Sequence, residues 1–321
     1  MKIGMKRIVA ALALCIVAVC AYADSKTDAL IIAAKNNNVS EVVRLIEAGA
    51  DVNANDNFST ALMEAAEKNA VDTVKVLIAA GADVNAKVRG GKTALMEAAY
   101  RNAVDATKML IEAGADVNAK LSGDGVTALM WAAYSNAAAA VKVLIEAKVD
   151  VNAKDSRDQT ALLWATSHNN TDVTKLLIEA GANVNAKDND GYTALMMVAL
   201  FNDVDAVKVL IELGADVNAK DRKGQSALLW ATHRNAADAA KVIIRAGADV
   251  NARDNSGKTA LINAAAMYGA MYGAADVVKV LTGAGADVNA KDYDGNTALM
   301  YAVQNNAADV VKLLKAAGAR Q

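Results

Sequence analysis

The chain has 321 residues, of which 54% are hydrophobic, 22% are charged and only 4% are aromatic. Its formal net charge is −2, and charges of both signs are mixed along it, which argues against nucleic acid as the main partner because nucleic-acid-binding proteins concentrate positive charge. Length alone suggests about two globular domains. A repeated sequence pattern overrides that estimate, because a stack of repeats has no single core.

The first 23 residues form a separate segment. Lys2, Lys6 and Arg7 precede an apolar run over residues 8–19, and Ala21-Tyr22-Ala23 then has the small-x-small pattern of a cleavage site. These parts together predict a secretory signal peptide over residues 1–23. The apolar run is shorter than the roughly 20 residues of a membrane span, so we expect no stable membrane insertion after cleavage.

Two other interpretations of this segment remain open at the level of sequence. It could stay uncleaved as a membrane anchor, or Cys20 could carry a lipid anchor. Both cysteines of the chain lie before residue 24, so cleavage after Ala23 leaves a protein without thiols. A protein without cysteine needs no oxidation machinery outside the cytoplasm. From the predicted signal peptide we expect an exported protein, either periplasmic or secreted.

The remainder, residues 24–321, is built from one repeated pattern. The tripeptide Thr-Ala-Leu, with Ser226 replacing threonine once, recurs at steps of 33, 34, 33, 33, 33, 33 and 38 residues. A degenerate copy, Asp28-Ala29-Leu30, comes before the first. Self-similarity at this period predicts stacked structural repeats. The repeats start near residues 28, 60, 93, 127, 160, 193, 226, 259 and 297.

The segment Asp188–Lys220 shows how one repeat folds. Thr193 is a good helix N-cap, and a short apolar helix follows it. Asn202 suits a left-handed turn, a second amphipathic helix spans residues 204–213, and Gly214 closes it. An extended connector and a protruding, β-hairpin-like loop complete the repeat. Neither helix is long enough to be stable alone, so each repeat must pack against its neighbours.

The chain resembles the ankyrin repeat family. The resemblance rests on the Thr-x-Leu opening, paired alanines such as Ala65-Ala66, the Val-Lys-x-Leu second helix and the Gly-Ala-Asp-Val-Asn-Ala connector, over roughly Asp28 to Ala319. The family's Thr-Pro-Leu-His is Thr-Ala-Leu-Met or Thr-Ala-Leu-Leu here, and its Gly-His turn is Asn-Ala or similar, as at Asn69 and Asn102. The chain is thus similar to bacterial, exported members of the family.

This resemblance implies an all-α solenoid of about nine helix–turn–helix repeats. It also implies a non-catalytic scaffold that binds an unidentified protein partner through a concave groove and the loop tips. Two more specific roles are also open: a secreted effector that acts on host proteins, and an accessory partner of a periplasmic redox enzyme such as a catalase. No cofactor is expected.

Aromatic residues and arginine concentrate where the first helices would face the groove. Both are enriched at binding hot spots, and an exposed Leu200-Phe201 pair is hard to explain by solubility. The tryptophans at the position of Glu64 have two interpretations, packing between first helices or an exposed aromatic ladder. The residues predicted to bind the partner are Tyr100, Arg101, Trp131, Tyr134, Trp164, His168, Phe201, Trp230 and Arg234.

No pattern for metal or covalent chemistry is evident. His168 and His233 lie two repeats apart, too far for one metal ion when packed helices are about 8–10 Å apart. Turns such as Asp188–Gly191 resemble the start of a calcium loop but lack its final glutamate. Two irregularities remain: Lys148 replaces a closing glycine, and the repeat containing Met267–Gly273 is five residues longer than the others.

Overall fold

The computed structural model describes residues 26–266 and 274–320. The predicted signal peptide, the alternative lipid anchor at Cys20 and the insertion at Met267–Gly273 lie outside the described residues. The described chain is all-α, as predicted, and it divides after Asp150 into two compact parts. We call residues 26–150 the first half, and residues 151–266 with 274–320 the second half.

The first half contains four pairs of antiparallel helices. Each pair begins with a short helix and continues with a second helix of nine residues, except that the opening helix of the first pair is longer. The helices are α1 (residues 26–35), α2 (Val39–Glu47), α3 (Ala61–Glu67), α4 (Val71–Ala79), α5 (Ala94–Tyr100), α6 (Val104–Glu112), α7 (Ala128–Tyr134) and α8 (Ala138–Glu146).

The second half contains five such pairs among its described residues. First helices pack on first helices of the next repeat, and second helices pack on second helices. The helices are α9 (Ala161–Ser167), α10 (Thr171–Glu179), α11 (Ala194–Leu200), α12 (Val204–Glu212), α13 (Ala227–Thr232), α14 (Ala237–Arg245), α15 (Ala260–Ala266), α16 (Ala275–Gly283), α17 (Ala298–Gln304) and α18 (Ala308–Ala316).

The predicted threonine caps start most of the first helices. In α5, Thr93 Oγ1 accepts a hydrogen bond from the Met96 N–H at 3.3 Å, which satisfies one of the free amides of the first turn. Ser226 does not form this bond, and its Oγ is buried without a partner among the described residues. The same capping bond forms at Thr60, Thr127, Thr160, Thr193, Thr259 and Thr297.

The predicted left-handed turns are also confirmed. Asn202, between α11 and α12, has a φ of 58°, and the closing glycine Gly214 has a φ of 87°. Lys148 takes the glycine position with a φ of 60°. A side chain in this conformation costs on the order of 1 kcal/mol. The connector after Gly214 is not extended as expected: it forms a turn in which the Asp216 carboxylate accepts the Asn218 N–H at 2.9 Å.

The turn asparagines also cap the helix of the following repeat. Most second helices begin after an alanine, which has no capping group of its own. The Oδ1 atom of Asn69 accepts the N–H of Ala106 in α6 at 2.9 Å, and Asn69 Nδ2 lies 3.2 Å from the Asp105 carboxylate. Equivalent bonds join Asn102 to Ala140, Asn202 to Ala239 and Asn235 to Val277.

We expect Asn69→Gly to lower the free energy of unfolding by about 0.5–2 kcal/mol more than Asn306→Gly does, which is the usual contribution of a capping side chain. Glycine keeps the left-handed turn but removes both side-chain bonds to the next repeat. Asn306→Gly is the matched control. Asn306 has a φ of 54°, and no described repeat follows it. Urea unfolding that gives equal losses for the two variants would refute the capping role.

The loops contain no strand among the described residues, although they are hairpin-like as predicted. Isolated antiparallel bridges occur at Asn55–Thr60, Lys120–Thr127 and Lys291–Thr297. A connector asparagine ties each loop to the next repeat: Asn185 Nδ2 donates to the Gly214 carbonyl at 2.9 Å, and Asn185 Oδ1 accepts the Asp216 N–H at 2.8 Å. These bonds fix the spacing of neighbouring repeats within each half.

Candidate functional site

Three aromatic side chains of the predicted surface form one cluster in the first half. The Tyr100 and Trp131 rings meet edge to face, with centroids 5.1 Å apart. Tyr134 stacks on Tyr100 at 6.3 Å and lies edge-on to Trp131 at 6.3 Å. The Tyr134 side chain is 40% exposed, while Tyr100 and Trp131 are half-buried. The cluster therefore presents aromatic surface to solvent at the ends of α5 and α7.

Arg101 borders this cluster. Its guanidinium carbon lies 5.2 Å from the Tyr100 ring centroid, and its Nη2 lies 2.9 Å from the Glu67 carboxylate. Lys92 and Glu97 form a second ion pair at 2.6 Å. The charges of this surface are therefore paired with one another. A groove of about 370 Å³ opens here, lined by Lys92, Met96, Glu97, Tyr100, Arg101 and Trp131.

Two tryptophans of the second half are fixed by their own loops. Trp164 Nε1 donates to the Asp155 carboxylate at 3.1 Å, and Trp230 Nε1 donates to the Asp221 carboxylate at 3.0 Å. Both aspartates are buried, and both indole rings are half-buried. The two interpretations of these tryptophans are therefore compatible, since each ring packs in a fixed position and keeps part of its surface exposed.

Trp131 differs from these two tryptophans. Its Nε1 is buried and has no hydrogen-bond partner among the described residues. The Leu121 N–H closes its turn on the Val126 carbonyl, as the Asp155 N–H does on Gln159, so Leu121 takes the place of Asp155. Leucine offers no acceptor to the indole. Among the described residues, Trp131 packs on the rings of Tyr100 and Tyr134, and no hydrogen bond fixes its indole N–H.

Phe201 and Arg234 meet between neighbouring repeats of the second half. The Arg234 guanidinium carbon lies 5.2 Å from the Phe201 ring centroid, a cation–π distance. Arg234 is exposed. Leu200 and Phe201 are half-buried, so the sequence prediction of an exposed pair was wrong in degree. Packing of α13 on α11 explains this, because it brings the arginine over the ring.

His168 lies at the end of α9 in the same half. Its side chain is exposed, and its Nδ1 lies 2.9 Å from the Trp164 carbonyl oxygen. That contact is local to one helix end. The structure brings together the three rings of the first half and the Phe201–Arg234 pair of the second half, and it places His168 and Trp164 in the same repeat.

The comparison with protein families identifies the repeat. The family model described as ankyrin repeats (3 copies) matches the chain over residues 2–88, 86–155, 129–221, 217–292 and 254–321. The chain belongs to the ankyrin repeat family. No curated protein matches it significantly. Ankyrin repeats are in general protein–protein interaction modules, and proteins built from them are typically non-catalytic.

Three residues of this ankyrin surface were missed from the sequence. Tyr192, in the loop before α11, packs edge to face on Trp230 with centroids 4.9 Å apart. The His233 ring packs edge-on to Trp230, with centroids 5.9 Å apart. Lys258 lies 4.9 Å from the Tyr301 ring centroid. An aromatic residue directly before the capping threonine was the only available signal for Tyr192.

Tyr301 repeats the tryptophan arrangement with a hydroxyl. Its Oη donates to the Asp292 carboxylate at 2.7 Å. That hydrogen bond, followed by burial, raises the pKa of Tyr301 above its usual value. An aspartate at the start of the loop therefore accepts a donor from the first helix in three repeats of the second half, which are those of Trp164, Trp230 and Tyr301.

We expect His233 to make the second half less stable in acid. Burial, and then the charge of Lys223, lower the pKa of His233 below 6.5, against the opposing effect of Asp221 and Asp254. The folded state thus favours the neutral ring, so its stability contribution is complete above about pH 6.5 and is lost as pH falls through the lowered pKa.

Urea unfolding of the protein and of His233→Gln, measured between about pH 7.5 and pH 5, tests this expectation. The difference in unfolding free energy between the two should shrink as pH falls, because glutamine has no proton to bind. Carboxylates that titrate in the same range are common to both proteins and cancel in the difference. A difference that stays constant with pH would contradict the assignment.

The described residues hold no group of three or more histidine, cysteine, aspartate or glutamate side chains that could bind a metal ion. The calcium-like turn at Asp188 uses its carboxylate locally: Oδ1 accepts the N–H groups of Asp190 and Tyr192, both at 2.9 Å. Over residues 26–266 and 274–320, no helix has the length and apolar content of a membrane crossing.

Proposed function

We propose that this ankyrin repeat protein is a non-catalytic scaffold that binds a partner protein through the ends of its first helices and its loop tips. The observation that carries the proposal is the cluster of Tyr100, Trp131 and Tyr134 beside Arg101, on a surface open to solvent. Interfaces favour aromatic residues and arginine and are depleted in lysine and glutamate.

The Phe201–Arg234 pair supports the same role for the second half, together with the indole rings of Trp164 and Trp230. These side chains are rigid: two indoles are hydrogen-bonded to buried aspartates, and Arg234 packs over a ring. A rigid surface loses little conformational entropy on binding. His168 adds an exposed polar group beside Trp164.

The test is affinity capture with the purified protein and with a variant that combines Tyr100→Ala, Tyr134→Ala, Phe201→Ala and Arg234→Ala. We expect the variant to bind a captured partner at least about 100-fold more weakly, since hot-spot residues contribute about 2 kcal/mol or more each and are not additive. Tyr100 and Phe201 are half-buried, so binding is compared at a temperature where circular dichroism shows both proteins folded.

The control variant replaces three exposed lysines of the second helices, Lys75, Lys108 and Lys142, by alanine. It should bind as the unmodified protein does. If the control loses binding while the aromatic variant keeps it, the interface lies on the second helices and the proposal is wrong. A protein that captures no partner in either form would also contradict it.

We also propose that the protein acts outside the cytoplasm, as its first 23 residues suggest. Capture is therefore made from the cell-envelope fraction and from the culture medium of the native organism. A redox enzyme such as a catalase among the captured proteins would favour the accessory role. A host protein as the captured partner would favour the effector role.

A further inference from the structure

Arg101 and Arg234 occupy the same position in their repeats, eight residues after Thr93 and Ser226 respectively. In each case the guanidinium carbon lies 5.2 Å from an aromatic ring centroid. Among the described residues, only one of the two guanidinium groups forms an ion pair. Arg101 is paired with Glu67 at 2.9 Å, whereas the residue at the Glu67 position in the repeat before Arg234 is Leu200.

Arg234 has no ion pair and no hydrogen bond to any described residue. The first helix that carries it and the two that pack on this helix, α11, α13 and α15, contain no acidic side chain. The loop carboxylate of the same repeat is already used: Asp221 accepts two turn N–H groups and one indole N–H. The Arg234 guanidinium therefore has no charge partner among the described residues, and it lies on an apolar and aromatic surface.

We propose that the Phe201–Arg234 pair receives a carboxylate of the partner, so that the second half binds an acidic peptide segment with an apolar side chain beside the acid. This inference rests on the proposed binding function and specifies its partner. A guanidinium held over a ring keeps its edge N–H groups free, and they match a carboxylate in two parallel hydrogen bonds.

The surroundings of Arg234 favour a peptide carboxylate over a nucleic acid. Binding to a phosphate backbone uses several lysines and arginines, each neutralising one phosphate. The surface here offers Arg234, with Phe201, Trp230 and the half-buried His233 around it, and the exposed Lys223 near His233, which is fewer cations than a phosphate backbone engages. Apolar neighbours strengthen a single ion pair by excluding water and also provide the contact for an adjacent apolar side chain.

The experiment selects short random peptides displayed on phage against the purified protein. We expect the selected peptides to be enriched in aspartate or glutamate next to a leucine, phenylalanine or similar residue. A selected peptide and its Glu→Gln form are then titrated against the unmodified protein, Arg234→Leu and Arg101→Leu. The glutamine peptide should bind the unmodified protein about tenfold more weakly.

Against Arg234→Leu, the two peptides should bind equally, and against Arg101→Leu the tenfold difference should remain. If the glutamine peptide binds all three proteins more weakly than the glutamate peptide by the same factor, the assignment to Arg234 is overturned. Selected peptides without acidic enrichment would overturn the carboxylate inference while leaving the binding function intact. Failure to select any peptide, combined with failure of affinity capture, would overturn both.

Discussion

Leu210→Ala is expected to lower the free energy of unfolding by about 3–5 kcal/mol. Leu210 lies in α12, in a repeat with neighbours on both sides, and its side chain is 0% exposed. Truncation of a buried leucine removes its transfer free energy and leaves a cavity that surrounding helices fill only in part. Helices of nine residues have no reserve of stability of their own, so the repeat depends on this packing.

Leu213→Ala is the matched control for Leu210→Ala. Leu213 lies three residues further along the chain and is 52% exposed, so its truncation should change stability by less than about 0.5 kcal/mol. Urea unfolding is followed by circular dichroism and by the fluorescence of Trp164 and Trp230, which lie in the repeats on either side. Similar midpoints for the two variants would show that α12 does not hold the stack together.

The helix pairs could be predicted because their signals are local. The hydroxyl of Thr193 caps an amide three residues away, and the left-handed conformations of Asn202 and Gly214 depend on their own side chains. The second helix predicted over residues 204–213 ends at Glu212. These interactions join residues that are only a few positions apart in the sequence. The sequence of a single repeat is therefore enough to predict the helix pair of every repeat.

Bonds between repeats could not be predicted in the same way. Asn69 was recognised as a turn residue, but its second role requires Ala106, 37 positions later, to arrive beside it. Comparison of the sequence with the usual family pattern showed only that the histidine of the Gly-His turn is replaced. The structure shows that the asparagine amide ties adjacent repeats itself, because the left-handed turn directs the side chain towards the next second helix.

The three tryptophans show why the candidate site was only partly predictable. Trp131, Trp164 and Trp230 share one position in the repeat, so the sequence assigned them one role. Their hydrogen bonding depends on the residue that starts the loop, which is an aspartate for two of them and Leu121 for the other. The aspartate nine residues before Trp164 was a visible signal, but its meaning required the loop geometry.

The sequence also could not predict which arginine forms an ion pair. Arg101 and Arg234 belong to the same column of the repeat alignment, and both were predicted to bind a partner. Only the structure shows that Glu67 already neutralises Arg101, while Arg234 faces Phe201 instead. The same arginine position can thus be neutralised or left free to bind a partner, depending on which residue the preceding repeat places beside it.

Asp221→Ala is expected to lower the free energy of unfolding by about 3 kcal/mol. The Asp221 carboxylate is buried and accepts the N–H groups of Lys223 and Gln225, both at 2.8 Å, and the indole N–H of Trp230 at 3.0 Å. Alanine leaves these donors without their acceptor, and each buried unsatisfied donor costs roughly 1–3 kcal/mol. The same loop also packs on its neighbour through the Arg222 N–H and the Asp190 carbonyl at 2.9 Å.

Three further variants separate the parts of this interaction. Asp221→Asn keeps an oxygen for the turn and should lose less stability than Asp221→Ala, and Trp230→Phe removes the indole donor together with part of the ring. Asp190→Ala is the control, because Asp190 is an exposed acid in the preceding loop, and it should change stability by less than about 0.5 kcal/mol. If urea unfolding gives Asp221→Ala the same small effect as Asp190→Ala, the buried carboxylate does not hold the loop. If Trp230→Phe alone reproduces the full loss, the ring and not the turn carries the stability.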